Sequence, residues 1–137
     1  MMHTNRPTLL VVDDDCDVLE ISCALLRHFG FAVVPASDPR EALHLLRNNQ
    51  EIHGVVSDFR MPVMNGEELA RAIKTFRPEV PVFILSGTYP PELDIAPWDG
   101  WFQKGSPITA LVTELNAMAY KQGKLRIEPQ ERQRNAS

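Results

Sequence analysis

Apolar residues in this chain fall into short continuous runs, separated by longer stretches in which they recur every three or four positions. Thr8 to Val12 is β-branched and leucine-rich and stops at Asp13-Asp14-Asp15, the pattern of a buried strand ending in an acidic turn. From Cys16 to Phe29, the residues Val18, Leu19, Leu25, Leu26 and Phe29 recur at helical spacing, and Gly30 supplies a stop. Phe31 to Pro35 reads as a second strand. Asp38-Pro39, a cap followed by proline at the first helical position, opens a helix that turns Ala42, Leu43, Leu45 and Leu46 inward. Ile52 to Ser57 is a third strand ending at Asp58, and Gly66 to Phe76 is a helix with Leu69, Ala70 and Ile73 on one face. The fourth strand, Val80 to Leu85, runs into Ser86-Gly87-Thr88; its Pro81 sits near the start, where a lost donor is tolerable. Trp101 to Gln103 is a short fifth strand leading to Lys104. Ser106-Pro107 then repeats the cap-and-proline signal for a last helix carrying Ile108, Leu111, Val112, Leu115 and Met118.

Strands that alternate with helices, and are apolar almost throughout, predict an α/β fold: a doubly wound, five-stranded parallel sheet with helices on both faces. Pro90, Pro91 and Pro97 interrupt Tyr89 to Gly100, so the fourth helix is expected to be short or missing. One folded domain over 8–122 is expected, between a flexible N-terminus at 1–7 and a polar, mobile tail at 123–137.

Composition narrows the function classes. With 137 residues, 44% hydrophobic and 23% charged, the chain suits one globular domain. A formal charge of -4 leaves no basic excess to neutralise phosphates and argues against nucleic acid as a partner. No apolar run approaches the ~20 residues that span a bilayer, and the polar N-terminus lacks a signal-peptide core, so no membrane insertion and a cytoplasmic location are expected. Cys16 and Cys23, without Cys-x-x-Cys spacing, read as reduced core residues. His3, His28, His44 and His53 are scattered without metal-ligand spacing and read as surface residues, and Asn135-Ala136-Ser137 matches a glycosylation acceptor that would need a secretory route.

In an open parallel sheet, ligands bind beyond the carboxyl ends of the strands, near the point where strand order reverses. The strands deliver Asp13, Asp14, Asp58, Ser86 and Lys104 to that rim. Two carboxylates about 5 Å apart repel by roughly 3 kcal/mol at an effective dielectric near 20, so three require a cation. An oxygen-only cluster suits a hard divalent ion, and Mg2+ favours few carboxylates plus water and phosphate oxygens. Asp58 could then attack phosphorus, with Ser86 and Lys104 stabilising the phosphoryl oxygens. Alone, Asp13-Asp14-Asp15 is equally an acidic helix start. A calcium loop fails, because Val18 and Ala24 stand where glycine and glutamate are needed. Asp58 alone could be a loop cap, Ser86 a turn residue and Lys104 a solvated lysine.

Val11-Val12-Asp13-Asp14-Asp15, Asp58-x-x-Met61-Pro62-x-Met64-x-Gly66, Leu85-Ser86-Gly87 and Lys104 together resemble the receiver domain of two-component response regulators, over roughly Thr8 to Tyr120. The resemblance implies a flavodoxin-like fold and Asp58 as acceptor of a phosphoryl group from a histidine kinase or phosphotransfer protein. It also implies Mg2+ held by Asp13, Asp14, Asp58 and the backbone carbonyl of Arg60, and Ser86 and Trp101 as switch residues. The domain would then be no enzyme beyond self-phosphorylation and self-dephosphorylation, passing its signal to a downstream protein. The alternative is a degenerate receiver that binds proteins without being phosphorylated. A phosphatase with a nucleophilic aspartate would want a second acid where Arg60 stands.

The chain departs from that pattern in three places. Gly105 follows Lys104 where receivers usually carry proline, often after a cis bond; before glycine such a bond would cost roughly 2.5–4 kcal/mol, so a trans bond and a differently running loop are expected. Ser86 and Lys104 lie eighteen positions apart, several fewer than usual. Arg60 and Thr88, each two residues beyond a site residue, would border the phosphoryl group, and Arg60 is expected to alter its lifetime. Trp101 matches the switch aromatic; equally, Trp98 and Trp101 could cover a sheet edge left bare by a missing helix.

Overall fold

A computed structural model describes residues 6–123. Five strands, β1 (Thr8–Val12), β2 (Ala32–Ala36), β3 (Ile52–Ser57), β4 (Val82–Ser86) and β5 (Gly100–Gln103), form one parallel sheet in the order β2-β1-β3-β4-β5. Four helices accompany them: α1 (Cys16–His28), α2 (Pro39–Asn48), α3 (Gly66–Phe76) and α4 (Thr109–Lys121). The doubly wound parallel sheet expected from the alternating pattern, and flavodoxin-like as the resemblance implies, is the one observed. His3, the first five residues and the tail from 124 on, with its Asn135-Ala136-Ser137, lie outside the described residues.

Alternate residues of a strand face opposite sides of the sheet, and β1 divides accordingly. Leu10 and Val12 join a core with Ala42 and Leu46 of α2 and Leu69, Ala70 and Ile73 of α3. Leu9 and Val11 join the opposite core with Leu19, Cys23 and Leu26 of α1 and Leu111, Leu115 and Met118 of α4. Caps set where the helices begin. The Asp15 carboxylate accepts from the Asp17 and Val18 N–H groups at α1, and Asp38 accepts from Arg40 N–H at α2. At α3, Asn65 and Glu68 form a reciprocal capping box.

Several boundaries differ from expectation. Val80 and Pro81 precede β4: the Val80 N–H bonds to Arg77 O and the Pro81 carbonyl accepts from Val55 N–H, so the ladder starts at Val82 and continues through Ser86. β2 runs one residue later than Phe31 to Pro35, since Phe31 N–H is taken by Leu26 O. β5 starts one residue earlier, at Gly100. α1 ends at His28 with Phe29 as its cap, and Leu25 and Phe29 lie partly on the surface. Ser106-Pro107 does not start the last helix. Gly105 adopts φ +88° and Ser106 N–H turns back to Gln103 O, so α4 begins at Thr109 after Ile108, without a side-chain cap. Cys16 is exposed rather than core, because it opens α1 on the acidic rim; Cys23 is buried.

Among the described residues no helix joins β4 to β5. The α2 and α3 side of the sheet is covered there by rings instead. Trp98 and Trp101 lie 5.0 Å apart between centroids, and Phe59 sits 5.0 Å from Trp101 and 6.2 Å from Trp98. All three pack against the core on that face. Prolines that forbid a helix thus leave aromatic side chains to fill its place.

Candidate functional site

Three strand ends meet at one rim. Asp13 follows β1, its N–H bonded to Ala36 O, and Asp58 follows β3, its N–H bonded to Val12 O. Lys104 follows β5, with its N–H on Ser86 O. These ladder bonds continue past the strands and place the side chains without help from the loops.

One carboxylate oxygen from each of Asp13, Asp14 and Asp58 can be chosen such that all lie within 4.8 Å of one another. Asp13 is buried, Asp14 exposed and Asp58 between the two. The Lys104 ammonium closes the cluster from the sheet side, 3.1 Å from Asp13 Oδ2 and 3.3 Å from Asp58 Oδ1. Replacing proline by Gly105 therefore leaves the reach of Lys104 intact; the described chain contains no cis peptide bond, and the left-handed Gly105 makes the turn.

Backbone groups restrain the acids. Asp13 Oδ1 accepts from Asp15 N–H at 3.0 Å, and Asp58 Oδ1 from Phe59 N–H at 2.8 Å. The Ser57 hydroxyl, fully buried, donates to the Asp58 carbonyl at 2.8 Å. Neither Ser57 nor the Phe59 amide stood out in the sequence; a serine closing a strand just before an acid is the one signal that could have marked the first.

Burial raises the Asp58 pKa above the ordinary carboxylate range, and the Asp13 charge adds to this, against the opposing pull of Lys104 and Phe59 N–H. At Lys104 burial disfavours the charge, but the bond to Asp13 and the charges of Asp58 and Asp13 outweigh it and raise the pKa. The cluster holds more negative charge than one ammonium balances. Its donor set is all oxygen, with one exposed carboxylate, which fits a hard divalent cation such as Mg2+.

The loop after Asp58 turns sharply. Met64 N–H bonds to Pro62 O at 2.8 Å across Val63, whose φ of 74° is unusual for a β-branched residue. Arg60, two residues after Asp58, is exposed. Ser86 is buried at the end of β4, but its hydroxyl bonds to Thr88: Oγ to Oγ1 at 3.1 Å, with Thr88 N–H donating to Ser86 Oγ at 3.2 Å. The Trp101 indole N–H donates to Thr88 O at 2.9 Å while its ring lies in the aromatic cluster. The structure brings Asp13, Asp14, Asp58 and Lys104 into one cluster, and holds Ser86 and Trp101 together through Thr88 beside it. Of the histidines, His53 is half-buried, with Nδ1 accepting from Thr8 N–H.

Comparison with known proteins agrees with this fold. The family model described as "Response regulator receiver domain" matches residues 9–95. The chain is 41% identical over 85 residues to the transcriptional regulatory protein ZraR of Klebsiella oxytoca, covering 62% of this chain and 19% of that one. Over 80 residues it is 41% identical to PrrA of Mycobacterium tuberculosis, covering 58% and 34%. The match thus spans about a fifth to a third of the length of these relatives. Among solved structures, a receiver domain protein from Clostridium thermocellum superposes with a TM-score of 0.77 at 28% identity, over 88% of this chain and 99% of that one. The response regulator TrrA of Thermotoga maritima, solved in complex with Mg2+–BeF, shares the fold with a TM-score of 0.76 at 22% identity, over 82% and 98%.

Proposed function

The chain belongs to the response regulator receiver domain family, and on that premise we propose that Asp58 accepts a phosphoryl group in a Mg2+-dependent reaction that changes which protein the domain binds. The observation that carries this reading is the oxygen cluster of Asp13, Asp14 and Asp58 closed by Lys104. Receiver domains as a family take phosphoryl groups from histidine kinases or phosphotransfer proteins and bind Mg2+ at their acidic pocket; that TrrA was solved with Mg2+–BeF fits the same chemistry.

An Asp58 carboxylate oxygen attacks the donor's phosphorus. A new P–O bond forms while the bond to the leaving group, a histidine nitrogen or an acyl oxygen, breaks with its electron pair. Asp13 and Asp14 would hold Mg2+ together with Asp58 and the Arg60 carbonyl. When bound there, the ion would supply charge neutralisation and alignment of phosphoryl oxygens. Lys104, already on Asp58, would pair with the transferred group, and the Ser86 hydroxyl would turn from Thr88 to hydrogen-bond it. Phe59 N–H holds Asp58 Oδ1, which leaves Oδ2 as the freer nucleophile. Arg60, exposed two residues after Asp58, would govern the approach of water and so the lifetime of the product. The domain acts as an acceptor in the cytoplasm and transforms no substrate of its own beyond this group.

Incubation with Mg2+ and a small acyl phosphate, followed by intact-mass measurement, tests the proposal. Wild type is expected to gain one phosphoryl group and Asp58→Asn none. A wild type that stays unmodified, under conditions that load another receiver, favours the phosphorylation-independent binding module.

A further inference from the structure

The Ser57 hydroxyl is fully buried and takes no part in the chemistry above. Ser57 pairs with Val12 on one side and Ile84 on the other, both members of the core under α2 and α3. An alanine would suit that apolar row, and a buried hydroxyl costs free energy unless it is hydrogen-bonded. Its bond goes to the next residue: Ser57 Oγ donates to the Asp58 carbonyl at 2.8 Å. The same peptide unit is held at its other end, where Phe59 N–H donates to Asp58 Oδ1 at 2.8 Å. A peptide unit is planar, so its carbonyl and N–H turn together, and neither bond swings away without disturbing the other. Gly66 closes in on this unit as well, since a Cβ there would lie 2.8 Å from the Asp58 carbonyl oxygen and 3.0 Å from Phe59 Cα.

We propose that Ser57 is a positioning residue: by fixing the peptide unit between Asp58 and Phe59, its hydroxyl sets the orientation of the Asp58 carboxylate toward the incoming phosphorus. This rests on the reading of Asp58 as a phosphoacceptor. The chain of contacts is short. Ser57 Oγ holds the carbonyl, the carbonyl fixes the direction of the N–H, and the N–H holds Oδ1. Lys104 Nζ lies 3.3 Å from the same Oδ1, so both donors fall on one oxygen and Oδ2 is left for the reaction. Without the Ser57 hydroxyl the peptide unit can rotate, the N–H leaves Oδ1, and Lys104 alone orients the carboxylate. A nucleophile that spends less time in its productive orientation reacts more slowly in proportion. Ser57 acts only through this peptide unit, one bond removed from the carboxylate.

Hydrogen exchange at the Phe59 amide, followed by NMR on the full chain without Mg2+, reads this restraint directly. Ser57→Ala is expected to speed that exchange about twofold to tenfold, the span of one lost hydrogen bond. With Mg2+ added, the same variant is expected to gain mass from a small acyl phosphate more slowly by a like factor. It should also bind beryllofluoride, a phosphoryl mimic, correspondingly less tightly. Ser57→Thr keeps the hydroxyl and is expected to restore all three readouts. Should its extra methyl unfold the chain, Ser57→Cys, of similar size but a weaker donor, is expected to fall between wild type and the alanine variant. Unchanged Phe59 exchange in Ser57→Ala overturns the proposal, as does faster exchange with an unchanged phosphorylation rate, or a folded threonine variant that behaves as alanine does. Each of these leaves the phosphoacceptor reading standing. A wild type that neither gains mass from an acyl phosphate nor binds beryllofluoride overturns that reading, and the role of Ser57 with it.

Discussion

At Asp58 the carboxylate is partly withdrawn from water and faces a second acid, and one ammonium does not fully compensate. Burial first, then the Asp13 charge, raises its pKa in the folded chain. For an acid with a raised folded-state pKa, the native state binds more protons than the unfolded chain between the two pKa values. Stability therefore falls as pH rises from the unfolded value, near 4, through the folded one, and the penalty is complete above both. In chelator at neutral pH, Asp58→Asn is expected to melt roughly 2–5 °C above wild type, about the relief of one like-charge contact. The gap should close as the pH falls below about 4. Calorimetry across that range decides it, and a variant melting at or below wild type at neutral pH rejects the electrostatic account.

The turn from β3 into α3 carries the acceptor, and its tightness hinges on Gly66. A Cβ added there would lie 2.8 Å from the Asp58 carbonyl oxygen, 3.0 Å from Phe59 Cα and 3.1 Å from Ile84 Cδ1. Two of those atoms are backbone, so the loop itself would have to move. The Gly66 N–H to Phe59 O bond, 2.7 Å, would be strained by that movement. Gly66→Ala is expected to cost about 1–3 kcal/mol in urea unfolding, the range for overpacking. Beryllofluoride affinity should weaken as well, because Asp58 is displaced. An alanine variant with unchanged stability and affinity would show that the loop yields freely.

Over the whole molecule, the sheet is covered evenly except beside β4 and β5 on the α2 and α3 side, where Phe59, Trp98 and Trp101 stand in for a helix. Trp98 is half-buried, so Trp98→Ala is expected to cost about 1–3 kcal/mol, below the range for a fully buried tryptophan. Because Trp98 touches Trp101, the loss should also broaden amide resonances around Thr88 and Ser86. Unfolding at the same urea midpoint as wild type would mean that the ring covers nothing of consequence. Of the two sequence readings of the tryptophans, sheet cover is the one the packing shows; the Trp101 indole N–H also donates to Thr88 O.

The alternating apolar runs and helical repeats determined the layers, the parallel sheet and the absent helix, because each depends on local periodicity and on where proline forbids a hydrogen-bonded turn. Acids and a lysine directly after apolar strands determined the rim cluster, since a strand end in such a sheet has one place to point. Contacts between residues far apart in the chain were decided by the tertiary structure alone. Ser106-Pro107 carries a sound helix-start signal, yet the left-handed Gly105 and the bond from Ser106 to Gln103 spend that segment on a turn. Cys16 reads as apolar, yet the first turn of α1 opens at the rim and exposes it. Lys104 reaches Asp13 across ninety-one positions by way of β5, so neither its spacing from Ser86 nor the residue after it could reveal the contact. The hold of Thr88 on Ser86 lies between these cases: the two residues are near neighbours in sequence, but the Trp101 bond that keeps Thr88 in place exists only because β5 pairs with β4.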